Sequence, residues 1–249
     1  MDGDTVEVWR VNLRVHDWWR DLGTLSAEER ARAERFAFER DRRRFVVARA
    51  ALRAIVGAHL QEPPSHVRFT IESHGKPRLA GDYAVNVVRF NVSHSAELAL
   101  IAIVRDRDVG VDVERIRSFV DLDDIAFRHF SEEERRTLRH AASDDRLALF
   151  FRYWTLKEAY VKARGLSLHS GLDAVDVSAA GDEPIVLTGG SAGPPPTRWA
   201  ARTLSIEPGY AAALVVEGGG GYSVVISDFA RLTSTDTPHT VVTSISPNG

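Results

Sequence analysis

"DRDVGVDVERI", residues 106–116, leads from a charged turn into a short apolar run that carries two acids, Asp112 and Glu114, with only Val113 between them. Valine at every second position favours an extended strand, in which side chains at i and i+2 point to the same face. Two carboxylates side by side on one sheet face repel each other. Either that face is solvated or a cation lies between the acids, and both alternatives stay open from this stretch alone.

The bulk composition is that of an ordinary soluble protein, with 249 residues of which 44% are hydrophobic and 27% charged. That length allows one large domain or two small ones. A net charge of −3 argues against a nucleic-acid partner, and the absence of cysteine excludes disulfides and thiolate metal sites. We expect a cytoplasmic protein without a membrane partner, since neither a signal peptide nor an apolar run of about 20 residues is present.

Two sets of helix and strand patterns follow each other along the chain. Ser26 with Glu29, and Ser131 with Glu134, have the spacing of capping boxes, which predicts a helix start at each. Apolar residues at helical spacing predict a longer helix after each, at residues 39–60 and 143–164. A loop with "SHGKPRL" and the segment "FNVSHS" lie between the second and third predicted strands. Alternating or aliphatic runs predict strands at residues 5–13, 66–71, 97–104, 173–179, 184–187, 198–206, 210–217 and 222–229.

This weak internal echo predicts an α+β protein of two similar units packed together. We assign residues 1–106 to an N-terminal α+β subdomain and residues 107–230 to a C-terminal one that carries the acids. The Ser/Thr-rich tail, residues 231–249, is expected to be disordered.

A candidate third acid, Glu158, lies in "FRYWTLKEAYVKARGLSL", residues 151–168. Trp154 and Lys162 share its face of the helix, so an exposed Glu–Lys pair is the simpler interpretation. Bulky apolar neighbours nevertheless indicate a buried helix, where a carboxylate needs a partner. Three carboxylates would suit Mg²⁺, which binds oxygen ligands together with a substrate phosphate.

An anionic substrate also needs cations and hydrogen-bond donors. Candidates are Lys76, Ser93, His94 and the arginines of the second predicted helix. Each has an ordinary structural alternative. Most of the arginines are expected to form a solvated helix face, and a hydrogen-bonded structural role is the commoner one for a histidine.

Taken in order, these motifs resemble the Sfp-type 4′-phosphopantetheinyl transferases. "GVDVE", followed about forty residues later by "WTLKEAYVKARGLSL", is similar to the paired signature of that family. "GKPRL" and "FNVSHS" occur upstream in the family's order, and "ERARAERFAFERDRRRF" resembles its arginine-containing N-terminal segment. The resemblance runs from about Leu25 to Leu168. It implies a pseudo-dimer of two similar α+β subdomains with the active site in the cleft between them.

Enzymes of that family transfer the 4′-phosphopantetheine arm of coenzyme A to a serine of an apo acyl or peptidyl carrier protein and release adenosine 3′,5′-bisphosphate. The resemblance therefore implies a Mg²⁺-dependent enzyme, with Mn²⁺ as an alternative ion, and a monomer with carrier proteins as partners. Those carriers serve fatty-acid, polyketide or nonribosomal peptide biosynthesis.

The family's functional residues carry over by motif. Asp112, Glu114 and Glu158 would bind the metal, and Glu158 would be the base, directly or through water. Asp112 and Lys162 would share in catalysis. The implied coenzyme A ligands are Arg32, Arg44, Arg49, Lys76, Ser93, His94 and Lys162.

One departure from the family pattern concerns Glu29, which stands where a basic residue can occur, so phosphate binding near it would rest on Arg32 and Arg44. The segment between Lys162 and Gly165 is also short, which could alter the loop that faces the carrier. Two competing hypotheses stay open from the residues. A two-metal nuclease or nucleotidyl transferase could use the same acids, and a non-enzymatic module could bind a partner through the arginine-rich helix.

Overall fold

The computed structural model describes residues 5–71, 77–81, 88–166, 172–179, 185–188 and 198–230. Predicted site residue Lys76 and the predicted tail lie outside them. The helices are α1 (Ala27–Glu34), α2 (Glu39–Leu60), α3 (Leu122–His129), α4 (Glu132–His140) and α5 (Ser143–Arg164), with 3-10 turns at Trp18–Thr24 and Leu172–Ala174. The strands are β1 (Thr5–Asn12), β2 (Phe69–Ile71), β3 (Pro77–Leu79), β4 (Val88–Ser95), β5 (Leu98–Arg105), β6 (Val109–Arg115), β7 (Ile185–Thr188), β8 (Arg198–Thr203), β9 (Tyr210–Glu217) and β10 (Ser223–Asp228).

The two four-stranded sheets share a three-strand order, β1-β5-β4 in one and β6-β9-β8 in the other, and each has a fourth strand at a different end. The first sheet runs β10-β1-β5-β4 and the second runs β6-β9-β8-β7. In the first sheet, β1 pairs antiparallel with β5, which pairs antiparallel with β4. In the second sheet, β6 pairs antiparallel with β9, which pairs antiparallel with β8. The predicted α+β pseudo-dimer fold is therefore confirmed. β10 lies in the range expected for the C-terminal subdomain, residues 107–230, but pairs in parallel with β1 of the first sheet. The two sheets therefore do not coincide with the two expected ranges.

The helices and sheets stack in four layers. One apolar face of the first sheet packs against α2, and one face of the second sheet packs against α5. A third core, which includes Leu100, Val111 and Leu214, fills the space between the sheets. β5 is buried on both faces, which explains its unbroken apolar sequence. Within the described part of the chain, no helix is long and apolar enough to cross a membrane.

Side chains of β4 join the edges of the two sheets along a seam with β6. Asn91, Ser93 and Ser95 are alternate residues and therefore point the same way. Their side-chain oxygens accept hydrogen bonds from the backbone N–H groups of Val111, Val113 and Arg115, at 2.9, 3.4 and 3.1 Å. Three side chains thus replace a backbone ladder at this edge, and they fix the register of β6 against β4.

A buried ionic contact, which we call the first clasp, closes the N-terminal unit. The expected capping box of Ser26 and Glu29 is present at the start of α1. The same Glu29 carboxylate accepts a hydrogen bond from Arg53 Nε of α2 at 2.7 Å. Arg53 is 2% exposed and donates to the carbonyl oxygens of Pro64 and Val67, beyond the end of α2.

The C-terminal unit repeats this arrangement in a second clasp. Ser131 and Glu134 form the expected capping box of α4, and Glu134 Oε2 lies 2.9 Å from Lys157 Nζ of α5. Lys157 donates to the carbonyl oxygens of Leu172 and Val175, at 2.7 and 2.6 Å, beyond the end of α5. Both side chains of the ion pair are fully buried.

Several secondary-structure predictions differ from the structure. Part of the expected "SHGKPRL" loop forms β3, and α3 had no predicted helix. The expected strand at residues 173–179 was wrong, because the 3-10 turn Leu172–Ala174 begins there and the second clasp engages the backbone. Glu134 also accepts a hydrogen bond from Val177 N at 2.8 Å, so these backbone groups have partners outside any sheet. The segment "FNVSHS", which had no predicted structure, forms most of β4.

Candidate active site

Glycine at position 110 lets α5 lie directly against β6. A Cβ atom on Gly110 would overlap the carbonyl oxygen of Ala159 and the amide nitrogen of Ala163, so only glycine fits there. Asp112 and Glu114 share the strand face of Gly110 and therefore point toward the same helix. This contact brings the two acids of β6 beside Glu158 and Lys162 of α5.

The most buried acid of the site is Asp112, which is 2% exposed. Its Oδ1 accepts hydrogen bonds from Lys162 Nζ at 2.5 Å and from Ser93 Oγ at 2.7 Å. Lys162 also donates to Ser93 Oγ at 2.9 Å. The second oxygen, Oδ2, is buried and has no hydrogen-bond partner among the described residues. Since an unpartnered buried carboxylate oxygen is costly, Oδ2 is an open position for a donor or a cation.

Burial and mutual repulsion raise the pKa of both remaining acids. Burial, followed by the charges of Asp112 and Glu114, raises the pKa of Glu158 to about 7, although Lys162 opposes the shift. Burial also raises the pKa of Glu114, and the Ser95 hydroxyl, which donates to Glu114 at 2.7 Å, opposes that shift. The three carboxylates therefore affect one another's charge, and one ammonium does not fully compensate them.

The donor chemistry of this acidic group fits a divalent cation, but its geometry is not that of a preformed site. Across the described ranges, no three acidic or histidine side chains are close enough together to hold a metal ion as they stand. The ammonium of Lys162 occupies Asp112 Oδ1 instead. The assignment of Asp112, Glu114 and Glu158 as metal ligands stays a prediction.

Cations line the opposite side of the site. Burial, followed by the charges of Lys162 and Arg44, lowers the pKa of His94, which lies under the influence of both cations. Arg44 Nη2 donates to Glu97 Oε1 at 2.7 Å, and Arg43 donates to the other oxygen of Glu97 at 2.8 Å. His94 is exposed at the surface, and its lowered pKa favours the neutral imidazole near neutral pH.

Arg32 and Arg49 lie together in a cavity of about 1440 Å³ formed by α1, α2 and β2. The Arg32 guanidinium lies 5.1 Å from the ring centre of Phe45, and that of Arg49 lies 5.8 and 5.7 Å from Phe45 and Phe69. Nη1 of Arg49 is buried without a hydrogen-bond partner in the described structure. The cavity thus combines cations with aromatic faces, the features that bind planar anionic groups.

The structure brings Asp112, Glu114, Glu158, Lys162, Ser93 and His94 to one region and places Arg32 and Arg49 in a second. Sequence reasoning missed the supporting residues Asn91 and Ser95, although the alternation of polar residues in "NVSHS" was a usable signal. It also missed the ionic roles of Glu134 and Lys157, for which the capping pattern gave no signal.

Comparisons with known proteins show the family of the chain. Residues 108–215 match the family model of the 4′-phosphopantetheinyl transferase superfamily, and residues 9–105 match that of 4′-phosphopantetheinyl transferase, N-terminal. The chain is 38% identical over 219 residues to 4′-phosphopantetheinyl transferase HetI of Nostoc sp., covering 87% of this chain and 90% of HetI.

Two further relatives are more distant. Identity to 4′-phosphopantetheinyl transferase psf-1 of Bacillus pumilus is 35%, over 60% of this chain and 62% of that protein. Identity to L-aminoadipate-semialdehyde dehydrogenase-phosphopantetheinyl transferase of Xenopus laevis is 30%, over 64% of this chain and 56% of that protein.

The chain belongs to the 4′-phosphopantetheinyl transferase superfamily. The resemblance to the Sfp type is confirmed, and the protein is an enzyme that transfers 4′-phosphopantetheine. The competing hypotheses of a nuclease and of a non-enzymatic binding module are therefore set aside.

Proposed function

We propose that the protein transfers 4′-phosphopantetheine from coenzyme A to a serine of an apo acyl or peptidyl carrier protein in a Mg²⁺-dependent reaction. The observation that carries this proposal is the contact of Lys162 with Asp112 and Ser93, beside Glu158 and His94. Carboxylates that could hold a cation lie there beside a lysine and a histidine that could bind phosphate. A pyrophosphate with its metal counter-ion requires both.

Glu158 is the proposed base for the carrier serine. A serine hydroxyl is a weak nucleophile at its own pKa and needs a group that removes its proton. In the metal-free protein, burial and the neighbouring acids raise the pKa of Glu158 to about 7. A bound cation would lower this pKa and keep the carboxylate ionised, which is the form that accepts a proton. The proton moves to Glu158, directly or through one water, as the serine oxygen attacks.

Lys162, His94 and Arg44 are the proposed ligands of the phosphates. The serine oxygen forms a bond to the phosphorus next to the pantetheine arm, and the bond from that phosphorus to the bridging oxygen breaks. Adenosine 3′,5′-bisphosphate leaves with the electron pair of the broken bond. Lys162 stabilises the charge on the leaving phosphate, and neutral His94 donates a ring N–H to it.

Asp112, Glu114 and Glu158 are the residues that would hold Mg²⁺, with Mn²⁺ as an alternative. Bound there, the ion would neutralise the pyrophosphate and the acids together. The unpartnered Oδ2 of Asp112 and the raised pKa of Glu158 support this assignment. Lys162 would then exchange its contact with Asp112 for one with phosphate.

The cavity with Arg32 and Arg49 is the proposed site of the adenosine end of coenzyme A. Its guanidinium groups and its two phenyl rings suit a phosphorylated nucleoside. Arg44 and Arg49 are five residues apart on α2, about 7.5 Å along the helix axis and about 140° around it, so a shared ligand would have to extend around the helix. Lys76 is proposed as a ligand of coenzyme A solely because it lies in the "GKPRL" motif. The cytoplasmic location and the monomeric state stay predictions.

The decisive experiment incubates the protein with Mg²⁺, coenzyme A and a panel of apo carriers from fatty-acid, polyketide and nonribosomal peptide synthesis. We expect the intact mass of at least one carrier to increase by one phosphopantetheine, and EDTA to prevent it. Asp112→Asn should abolish the gain, whereas Asp106→Asn, at an exposed position with positive φ, should not. No mass gain on any carrier would refute the proposal.

A further inference from the structure

We infer that the second clasp, Glu134–Lys157, is a positioning pair that sets the rotation of α5 and so the placement of Glu158 and Lys162. This inference rests on the proposed function, because it concerns the roles proposed for those two residues. Neither Glu134 nor Lys157 is expected to touch a substrate.

The ammonium of Lys157 has a partner for each of its protons. Lys157 has three hydrogen-bond acceptors, Glu134 and the carbonyl oxygens of Leu172 and Val175, which use all three protons of its ammonium. These acceptors belong to α4 and to the segment beyond α5. Lys157 is therefore restrained along the helix axis and around it.

Helix geometry couples the orientation of Lys157 to that of Glu158 and Lys162. Lys157 and Glu158 are consecutive, so their side chains leave the helix about 100° apart, and Lys162 projects near Glu158. A rotation of about 10° would move a side-chain tip on a helix of this diameter by about 1 Å. A displacement of about 1 Å at reacting groups can lower a rate by about 100-fold.

The free energy of unfolding does not by itself account for a buried ion pair at this position. Replacement of both members of a buried ion pair by neutral groups of similar size is often neutral for stability, whereas loss of one member is costly. Stability alone therefore does not require a charged pair at this place. Directional hydrogen bonds fix a rotation, which apolar packing between Phe130 and α5 would leave less defined.

Gly110 restrains α5 on the opposite side. The backbone of α5 touches β6 at Ala159 and Ala163, one and five residues after Glu158. Contact with a glycine sets how closely the helix approaches the strand but offers no side chain to oppose rotation. The clasp adds a directional restraint on this rotation to that of the packed side chains of α5.

The first clasp offers a matched control within the same chain. Glu29 and Arg53 make the same kind of contact for α2, with the same two carbonyl bonds beyond the helix end. α2 carries none of the three acids. A clasp that served the fold alone would have equivalent effects in both units.

The experiment compares three double variants at saturating coenzyme A and carrier. They are Glu134→Gln with Lys157→Met in the second clasp, Glu29→Gln with Arg53→Met in the first clasp, and Glu133→Gln with Arg136→Met in an exposed pair on α4. Glutamine at position 134 retains an acceptor for Val177 N but sets its NH₂ group against Ser131 N, so part of the capping box is lost and the effect on Tm must be measured. Tm, kcat and KM are measured for each variant.

We expect the second-clasp variant to retain a Tm within about 5 °C of the parent and to lose about 10- to 100-fold in kcat. The exposed-pair variant should keep kcat and KM within about twofold. The first-clasp variant should change KM for coenzyme A more than kcat, because Glu29 and Arg53 line the cavity proposed for coenzyme A. A crystal structure of the second-clasp variant should show Lys162 Nζ displaced from Asp112 Oδ1, where the parent distance is 2.5 Å.

Two outcomes would overturn the inference: a parental kcat in the second-clasp variant, or equal losses of kcat in both clasp variants. If the double variant does not fold, the single variant Glu134→Gln, which retains both carbonyl bonds of Lys157, is judged by the same comparison. An inactive parent would refute the proposed function instead, and the Lys162–Asp112 distance would still test the clasp.

Discussion

The ammonium of Lys162 lies 2.5 Å from Oδ1 of Asp112, so the proposed phosphate ligand is paired with the proposed metal ligand. Each therefore neutralises the other while neither substrate nor metal is bound. A metal ion that binds Asp112 must compete with this ammonium, because like charges at close range repel. The pair would open when coenzyme A offers Lys162 a phosphate.

Lys162→Met should consequently separate metal binding from turnover. We expect the affinity for Mn²⁺ without coenzyme A, measured by calorimetry, to increase by about 10-fold, as removal of one nearby positive charge implies. The rate of carrier modification should fall by at least about 100-fold. Arg164→Met, two residues further along α5 and exposed, is the matched control. Weaker Mn²⁺ binding by Lys162→Met would contradict the competition.

The pH dependence of stability should reveal Glu158 in metal-free protein. Its folded-state pKa of about 7 exceeds the ordinary 4.5, so its contribution is fully present below pH 4.5 and is lost as pH rises toward 7. Above pH 7 the group should cost about 3 kcal/mol in the free energy of unfolding relative to its protonated form. Urea unfolding with EDTA at about pH 5 and pH 8 measures this difference.

Glu158→Gln should remove most of that pH dependence and make the metal-free protein more stable than the parent at pH 8. Glu34→Gln, at the exposed end of α1, should leave the dependence unchanged. Parallel pH profiles for Glu158→Gln and the parent would show that Glu158 titrates as an ordinary surface acid.

Gly110→Ala should displace α5 from β6. The new methyl group would overlap backbone atoms of Ala159 and Ala163, and backbone cannot move aside as a side-chain end can. We expect the free energy of unfolding to fall by about 1–3 kcal/mol, the usual cost of overpacking, together with a loss of transfer activity. Gly23→Ala, where no atom lies within 4 Å, should change neither. A fully active, stable Gly110→Ala variant would refute the close contact.

Asn91→Ala tests the seam between β4 and β6. Val111 N would lose its acceptor in a buried position, which costs about 1–3 kcal/mol. Asn12→Ala is the control, because Asn12 also accepts a backbone hydrogen bond, from Arg14, but is exposed, so water can replace it. Chemical denaturation of both variants measures the difference. Equal losses would mean that the seam contributes no more than a surface turn.

Arg44→Ala should weaken coenzyme A binding with little effect on kcat. Loss of one charge-assisted contact predicts an increase of about 10-fold in KM for coenzyme A. The fold should persist because Arg43 still neutralises Glu97. Arg40→Ala, on an exposed side of the same helix, is the comparison. An unchanged KM would exclude Arg44 from the coenzyme A site.

Local sequence patterns predicted the elements better than their contacts. Capping boxes and helical spacing placed the helix starts because those signals act within one turn of chain. The pairing of β10 with β1 joins residues more than two hundred positions apart, and no local pattern specifies it. The absence of a strand at residues 173–179 has the same cause, since Lys157 and Glu134 determine that backbone from elsewhere.

The candidate site was predictable to the extent that its motifs were periodic. Alternation on β6 placed Asp112 and Glu114 on one face, and helical spacing placed Glu158 and Lys162 on another. The pairing of Lys162 with Asp112 depends on the distance between β6 and α5. Gly110 sets that distance through its contact with Ala159. That distance is a property of packing and has no counterpart in a one-dimensional pattern.

The position of β10 bears on how the chain matures during synthesis. β1 precedes β10 by more than two hundred residues and is therefore synthesised well before it, yet in the described part of the chain its outer edge pairs with residues 223–228. Until then that edge presents unpaired backbone groups, which are prone to pair with another chain. The first sheet is therefore complete only when β10 is present, and truncation before residue 223 should yield aggregation-prone protein.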